Sequence, residues 1–364
     1  MNAASKEYDG KNKYIRITDI NDETREFSKE NLTSPDIDLK NLDSYKLKKG
    51  DIVFARTGAS VGKTYLYNEK DEVVYYAGFL IRAQIKNQYS NEFIFQNTLT
   101  KKYIDFIYIM SQRSGQPGIN SKEYASFELK VPNSEEQNKI GSFLNNIDNL
   151  ISLHQRKLEK LGNIKKSMLE KMFPKDENKV PEIRFKGFND DWEQHKVYEI
   201  FKITRGYVLP SNMTEKKQTK ENFYPVYSSQ TKDNGLMGYY KDYLYENAIT
   251  WTTDGANAGT VNYREGKFYC TNVCGVLLSN KIKTNKMIAE ALNNVSKGYV
   301  SYVGNPKLMN NVMADIEIKI PSSEIEREEI SKLFINIDNL ISLHQRKLEK
   351  LKNIKKACLE KMFV

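Results

Sequence analysis

Residues 58–64 read GASVGKT, which contains the glycines and lysine of a phosphate-binding loop but not their spacing. A nucleotide-binding loop places four residues between its first glycine and its Gly-Lys pair, because its backbone amides must wrap a whole phosphate. Here three residues separate the two glycines, and the repeat of this segment has Thr260 in place of the lysine. This spacing disfavours an ATP site. We expect either a glycine-rich hairpin loop or a loop that approaches a DNA backbone, with Arg56 and Lys63 as phosphate donors.

The other candidates for chemistry also lack the spacing that their chemistry requires. PDIDLK at 35–40 has the letters of a nuclease metal site, but carboxylates two residues apart cannot surround one ion. The histidines, His154, His195 and His344, are isolated from cysteine and acidic clusters, so no zinc spacing exists. The chain also has no Pro-Pro pair, which an adenine methyltransferase motif contains. We therefore expect no catalytic residue, no metal and no cofactor.

Polar loops at matching places in the two halves of the chain are the strongest binding candidates. Arg, Asn and Gln carry donors and acceptors that match base edges in the major groove of DNA. The candidate DNA-binding residues of the first half are Arg56, Thr57, Ser60, Lys63, Gln112, Arg113, Gln116 and Asn120. Those of the second half are Ser229, Gln230, Thr252, Thr253, Asn257, Tyr302, Asn305, Lys307 and Asn310. Each residue alone is more often a solvated loop residue, but the duplication favours the set.

Two nearly identical segments organise the chain around these loops. Residues 147–173 read IDNLISLHQRKLEKLGNIKKSMLEKMF and residues 337–363 read IDNLISLHQRKLEKLKNIKKACLEKMF, with three differences in 27 positions. Their apolar residues recur at three- and four-residue spacing with charged flanks, which predicts long coiled-coil helices. His154 and His344 occupy equivalent positions, so antiparallel packing would bring the imidazoles together. A polar residue that sets the helix register is favoured there over a metal site.

The segments that precede the two helices are also repeated, at lower identity. The matches are GDIVFARTGASVGKT (50–64) with NAITWTTDGANAGTV (247–261), GQP (115–117) with GNP (304–306), and FELKVPNSE (127–135) with IEIKIPSSE (316–324). The block 180–203, which contains Trp192, has no counterpart before residue 1. We predict two domains that share a fold, with different surfaces on the loops between the matched segments.

The expected boundaries follow from these repeats. We predict a first, N-terminally shortened domain at 1–133, a first helix at 134–173, a second domain at 174–320 and a second helix at 321–364. Apolar alternation predicts strands at 13–20, 51–55, 65–67, 73–84, 126–131, 248–252, 268–278 and 315–320. Helical periodicity predicts shorter helices at 92–111 and 286–295.

Composition limits the classes of protein that remain. Charged residues make up 28% and apolar residues 39% of the 364 residues, which indicates a folded globular chain. No apolar run approaches the ~18 residues of a membrane helix, and three cysteines cannot build a disulfide framework, which favours a cytoplasmic location. The net charge of +9 suits a polyanionic partner. Because the basic residues are spread along the chain, folding must assemble any nucleic-acid surface.

With these motifs in hand, the chain resembles a known family. Two divergent domains, each followed by a helix of the form IDxLIxLHQRKLExLxxxKKxxLxKMF, look like the specificity subunit of type I restriction-modification systems. PEIRFKGFNDDWE at 181–193 adds to the likeness, which covers nearly the whole chain and is greatest to subunits of low-GC Gram-positive bacteria such as staphylococci. A first domain of this family usually opens with a block like 180–203.

The resemblance implies a fold and a set of partners. The implied fold class is α+β, with two similar target recognition domains separated by two long antiparallel coiled-coil helices with pseudo-two-fold symmetry. Each domain would read half of a bipartite site in double-stranded DNA. Two modification subunits would bind the helices and transfer methyl groups from S-adenosylmethionine to adenine, and restriction subunits would join for ATP-driven translocation and cleavage. The specificity subunit itself would be non-catalytic and would bind no membrane.

One alternative from another class stays open at the level of sequence. A non-catalytic coiled-coil scaffold with protein-binding globular ends would also contain a duplicated helix. DNA binding would weaken steeply with salt as counterions are released, whereas an apolar scaffold contact would not.

Overall fold

The computed structural model describes residues 1–113, 115–175, 177–229 and 232–363. It divides into two compact units. Unit 1 consists of Met1–Leu158 together with His344–Val364, and unit 2 consists of Glu159–Leu343. Each unit therefore contains one globular region and parts of both long helices. Among the described residues, no helix is long and apolar enough to cross a membrane.

Unit 1 begins with seven short strands, which are followed by three short helices and the first long helix. The strands are β1 Ala4–Glu7, β2 Lys13–Ile15, β3 Thr33–Asp36, β4 Asp51–Ala55, β5 Thr64–Leu66, β6 Val74–Tyr76 and β7 Leu80–Gln84. The helices are α1 Asn91–Asn97, α2 Lys101–Met110, α3 Ser121–Ala125 and α4 Ser134–Lys171. The strands form an antiparallel pair β1-β3, a parallel pair β2-β6 and an antiparallel sheet of order β5-β4-β7. Because β4 is the central strand, its β-branched Ile52 and Val53 are buried.

Unit 2 contains a larger sheet and a larger core. Its strands are β8 Glu193–Lys196, β9 Lys202–Arg205, β10 Tyr224–Tyr227, β11 Leu236–Tyr240, β12 Tyr245–Thr252, β13 Val261–Cys270, β14 Cys274–Leu278 and β15 Glu317–Ile320. Its helices are α5 Val197–Ile200, α6 Lys286–Ser296, α7 Asn310–Asp315 and α8 Glu324–Met362. Six strands form a sheet of order β11-β10-β13-β12-β14-β9, and β15 pairs separately with β8. Trp192 and Trp251 lie in one buried cluster with residues of α6.

Apart from the strand expected at 126–131, the largest departures from the predicted bounds occur in four elements, which are shortened or divided. The strand expected at 13–20 ends at Ile15, and those expected at 73–84 and 268–278 are each divided into two strands by a turn. The helix expected at 92–111 is divided into α1 and α2. The break has a physical cause, because Thr100 caps a new helix: its Oγ1 accepts a hydrogen bond from Tyr103 N at 3.3 Å.

The prediction of a strand at 126–131 was wrong. Residues 121–125 form α3, and the described chain from 126 to 133 has no regular element. The equivalent segment of unit 2 does form a strand, β15, and it does so against β8. A strand needs a neighbour for its backbone hydrogen bonds, and in unit 1 no described strand occupies the place that β8 has in unit 2.

The two long helices run antiparallel beside each other within each unit. In unit 1, Asp148 of α4 forms an ion pair with Lys355 of α8, with 2.5 Å between Oδ1 and Nζ. Further along α4, the Nδ1 atoms of His154 and His344 lie 2.8 Å apart. Residue numbers thus rise along one helix as they fall along the other. The prediction that antiparallel packing would bring the two imidazoles together is confirmed.

Unit 2 repeats this helix contact with the roles of the two helices exchanged. Lys165 of α4 lies 2.6 Å from Asp338 of α8. Lys165 is equivalent to Lys355 in the sequence repeat, and Asp338 is equivalent to Asp148. The near identity of the two helices therefore has a structural reason: each helix supplies the aspartate to one unit and the lysine to the other.

Candidate nucleic-acid interface

The glycine-rich segment of unit 1 is a hairpin loop between the antiparallel strands β4 and β5. Two backbone hydrogen bonds close it, from Gly62 N to Ala55 O at 3.0 Å and from Ala55 N to Lys63 O at 2.8 Å. Gly62 has φ +84°, and a Cβ atom there would lie 2.5 Å from Ile107 Cγ2, so both conformation and space require glycine. A hairpin does not aim a helix N-terminus at a phosphate, which is the arrangement of a nucleotide-binding loop.

A second loop of unit 1 is joined to this hairpin through its backbone. Gly58 N donates to Pro117 O, and Ile119 N donates to Arg56 O, both at 2.9 Å. The side chain of Gln116 lies close over Gly58, since a Cβ atom on that glycine would be 2.8 Å from Gln116 Nε2. The segments 56–63 and 112–120, which sequence reasoning selected separately, therefore form one surface. We call these two joined segments the loop pair of unit 1.

Unit 2 builds its own loop pair, segments 252–260 and 299–311, with the same backbone contacts. Gly255 N donates to Pro306 O, and Leu308 N donates to Thr253 O, both at 2.9 Å. Gly259 has φ +82°, as Gly62 does in unit 1 within a few degrees. The two loop pairs thus have the same backbone arrangement although their sequences differ. Different side chains therefore project from equivalent backbone positions.

Several of the predicted DNA-binding residues project from the loop pairs into solvent. Such side chains are available to an external partner. In unit 1 these are Arg56, Gln112 and Gln116, and in unit 2 they are Tyr302, Asn305, Lys307 and Asn310.

Other predicted residues of unit 1 are already bound to groups of the protein. Lys63 Nζ forms an ion pair with Asp22 at 2.5 Å, and Arg113 Nη2 lies 2.5 Å from Glu123. Asn120 caps α3, because its Oδ1 accepts from the backbone amides of residues 122 and 123. Thr57 is half-buried and Ser60 is buried in the hairpin. These contacts hold the loop pair in shape, and a role of these five residues in DNA binding stays a prediction.

The remaining predicted residues of unit 2 also have internal contacts. Thr252 and Thr253 are buried, and Thr253 Oγ1 donates to Asp254 Oδ2 at 2.8 Å. Asn257 Nδ2 donates to Ser229 O at 3.5 Å, which ties the connection after β10 to the loop pair. Gln230 lies outside the described residues. For this group, too, contact with DNA stays a prediction.

Sequence reasoning did not select two polar features, an exposed connection in unit 2 and a half-buried arginine in unit 1. In unit 2, the connection between β9 and β10 carries exposed lysines and the exposed Tyr207, and its signal in the sequence is KKQTK at 216–220. In unit 1, Arg25 has φ +59° near Asp22, and burial lowers the pKa of its guanidinium. The signal for Arg25 is weaker, since a lone arginine in DETREF has no distinctive spacing.

Among the described residues, no group of three or more His, Cys, Asp or Glu side chains is placed to hold a metal ion. Burial raises the pKa of the Cys274 thiol to about 11 and raises that of the Cys270 thiol as well, so both stay protonated at neutral pH. The geometry that repeats in the two units is a loop pair with a polar surface.

Comparison with known proteins assigns the chain to a family. The family model described as "Type I restriction modification DNA specificity domain" matches residues 1–163 and 189–353, and the chain belongs to this family. A putative type I specificity subunit N-terminus from Mycoplasma pneumoniae is 42% identical over 137 residues, which are 37% of this chain and 72% of that relative. The putative type I restriction enzyme MjaX specificity subunit of Methanocaldococcus jannaschii is 25% identical over 352 residues, 89% of this chain and 80% of the relative.

A solved structure shows the same fold. The crystal structure of a type I restriction-modification S subunit from M. genitalium has a TM-score of 0.72 at 17% identity, covering 98% of this chain and 89% of that one. The α+β fold class and the interpretation as a type I DNA specificity protein are confirmed. The alternative, a coiled-coil scaffold, receives no support from these relatives.

Proposed function

We propose that the chain reads a bipartite target in double-stranded DNA, with one half of the target contacted by each loop pair. Residues 1–133 and 174–320 are then the two target recognition domains. The proposal rests on a pair of equal hydrogen bonds, Gly58 N to Pro117 O and Gly255 N to Pro306 O. They give the two loop pairs the same backbone arrangement, while the polar side chains on each loop pair differ. Amide, guanidinium and ammonium groups on such loops can address base edges and phosphates.

The long helices are proposed to bind two modification subunits, one at each of two equivalent surfaces. Three apolar side chains are exposed on each helix at repeated positions and to matching extents. The exposed fractions are 44% for both Leu150 and Leu340, 39% for both Leu153 and Leu343, and 36% and 38% for Ile164 and Ile354. Apolar side chains that are exposed in the same way at both copies favour a partner that binds twice.

The remaining parts of the proposal concern catalysis and cellular location. The chain supplies specificity without catalysis, while modification subunits methylate adenine and restriction subunits cleave. The absence of a metal-binding constellation among the described residues supports a non-catalytic part. A cytoplasmic location is proposed because the DNA target and these partners are found there.

The proposed function is tested by expressing the chain with a modification subunit and sequencing the methylome of the host. We expect methylated adenines in one new motif with two specified halves and an unspecified gap. In parallel, binding of the purified complex to that motif should weaken steeply with salt, as release of counterions from phosphates requires. A folded complex that leaves no new methylated motif would refute the proposal.

The binding of modification subunits has its own test. Leu153→Glu together with Leu343→Glu should remove both complexes between the chain and the modification subunit, because each introduces a charge into the apolar surface. The exposed Gln112→Ala serves as the matched control and should leave the complex intact. Unchanged assembly of the double variant, measured by native mass spectrometry, would contradict the docking surface.

A further inference from the structure

Residues 127–131 of unit 1 and 316–320 of unit 2 have the same pattern, FELKV and IEIKI, but different surroundings. In unit 2, β15 pairs with β8 in antiparallel register, with Ile318 opposite His195 and Ile320 opposite Glu193. Within the described part of unit 1, no strand pairs with 127–131. We call residues 127–131 the open edge of unit 1.

The side chains of the open edge are exposed where their equivalents are core residues. Leu129 is 37% exposed and Val131 is 40% exposed, whereas Ile318 and Ile320 are 3% and 2% exposed. The end of α8, which belongs to unit 1, differs in the same way, since Met362 is 39% exposed and its repeat equivalent Met172 is 3% exposed. Unit 1 thus exposes apolar side chains at three positions that are covered in unit 2.

The cover in unit 2 is a single segment with definite chemistry. Trp192 is buried edge-on against Phe173, with ring centroids 5.9 Å apart and planes at 86°. The strand after it, β8, hydrogen-bonds to β15, and Gln194 Nε2 donates to Glu317 at 2.6 Å. The segment ends with Val197 N donating to the backbone O of residue 316 at 3.0 Å. In unit 2, a segment with a tryptophan, a polar strand and a valine therefore covers β15.

The repeat with unit 2 indicates which backbone positions of the open edge would meet such a strand. The bond between residues 197 and 316 places residues 316, 318 and 320 at hydrogen-bonding positions, since these alternate along an antiparallel pair. The equivalent positions in unit 1 are 127, 129 and 131. Glu128 O accepts from Lys102 Nζ at 3.0 Å, but Glu128 lies between these positions, so that bond faces away from an incoming strand.

We propose that the open edge binds an extended segment of another polypeptide that carries the pattern WEQHKV of residues 192–197. The segment adds an antiparallel strand to residues 127–131, as β8 does to β15, and its tryptophan covers the apolar positions beside that edge. A second copy of this chain is a poorer donor, because its own Trp192 is buried and its β8 is paired. The proposal does not depend on DNA binding.

The test adds a labelled synthetic peptide of residues 180–203 to the chain of 364 residues. We expect saturable binding of one peptide per chain, measured by fluorescence anisotropy. Hydrogen–deuterium exchange should show new protection at 127–131 and none at 316–320, where the chain's own segment is already paired. The peptide with Trp192→Ala should bind about tenfold or more weakly, because it loses the buried anchor. The peptide with His195→Pro should also lose affinity, since it lacks a backbone donor at a hydrogen-bonding position.

Variants of the protein locate the site. Leu129→Asp with Val131→Asp should abolish peptide binding, and because both side chains are exposed, the fold should tolerate the change. The matched control is Lys130→Ala, which should bind the peptide normally, because side chains alternate between the two faces of the added strand pair and Lys130 lies between Leu129 and Val131. Absence of saturable binding, or protection at 316–320 instead, would overturn the proposal. So would dimerisation of the chain that is lost in the double variant, which would assign the edge to a second copy.

Discussion

Unit 1 and unit 2 form the same loop pair but support it with different amounts of structure. The hydrogen bonds from Gly58 to Pro117 and from Gly255 to Pro306 are equal in length. Unit 2 holds its loops on a six-stranded sheet, while unit 1 has sheets of two or three strands. The backbone conformation of each loop pair is therefore determined by its own glycines and backbone hydrogen bonds, and not by the size of the sheet beneath it. This lets the side chains on each loop pair, and the packing beneath it, diverge between the units.

The helix contacts differ between the units in a similar way. In unit 1, Asp148 is bound by Lys355 and by the neutral amide of Gln96. In unit 2, Lys165 and Lys286 both contact the equivalent aspartate, Asp338, and the buried Glu290. Burial opposes ionisation of Asp338, but the two lysines outweigh it and lower its pKa. Among the described residues, the aspartate of unit 1 is therefore paired with one lysine and the equivalent aspartate of unit 2 with two.

The largest difference between the units should come from removing the equivalent lysine in each unit. Lys355→Met leaves the carboxylate of Asp148 without a described cation, and because the pair is partly buried, we expect unit 1 to lose about 2 kcal/mol of stability, less than for a fully buried ion pair. Lys165→Met should cost unit 2 only about 1 kcal/mol, because Lys286 remains between the two carboxylates. Hydrogen–deuterium exchange resolved by unit measures both losses. Equal losses in the two units would contradict the assigned difference.

An effect that is equal in the two units is expected at the hairpin glycines. Gly62→Ala and Gly259→Ala each force a side chain into the left-handed region and against a packed neighbour, Ile107 Cγ2 at 2.5 Å or Val300 Cγ2 at 2.8 Å. Each should cost about 2 kcal/mol in denaturant unfolding. Gly115→Ala, whose added Cβ atom meets nothing within 4 Å, is the control and should be nearly neutral. Loss of stability at only one hairpin would show that the two loop pairs are not equivalent.

The smallest effect concerns pH and the histidine pair of unit 1. Burial lowers the pKa of His154, and the neighbouring His344, Lys347 and Lys157 lower it further. Because the folded pKa lies below the unfolded value, the unfolded chain binds the proton more readily, and stability falls as pH drops below the ordinary histidine range. Exchange protection at the helix contact should decrease between pH 7.5 and 5.5. His154→Gln should remove this pH dependence. An increase in exchange protection at the helix contact as the pH falls would contradict the prediction.

The sequence was sufficient where a signal is local or repeated. The duplicated IDNLISLHQRKLEKL segments predicted both long helices, and the run DIVFA predicted β4 with its observed bounds. The glycines of GASVGKT predicted the hairpin, because φ > 0 and close approach are properties of the residue itself. That segments 56–63 and 112–120 contact each other had no such local signal. The only indication was that both segments have counterparts in the second half of the chain.

Other features depend on neighbours that the sequence does not name. FELKV has the alternation of a strand, but alternation reports only the capacity to pair, and its partner strand is missing from unit 1 as described. Lys63 forms an ion pair with Asp22, a residue far from it in the sequence, so a contact between Lys63 and phosphate stays a prediction. Thr252 and Thr253 looked like loop residues but are buried, because the loop pair closes over them.

The central claim, that each loop pair reads one half of a bipartite site, is tested most directly at Gln116 and Asn305. These residues are equivalent in GQP and GNP, and both are exposed. The host methylome is sequenced with the chain carrying Gln116→Ala or Asn305→Ala beside a modification subunit. We predict that Gln116→Ala relaxes base preference in one half of the methylated motif and Asn305→Ala relaxes it in the other. A single substitution that alters both halves would contradict the claim.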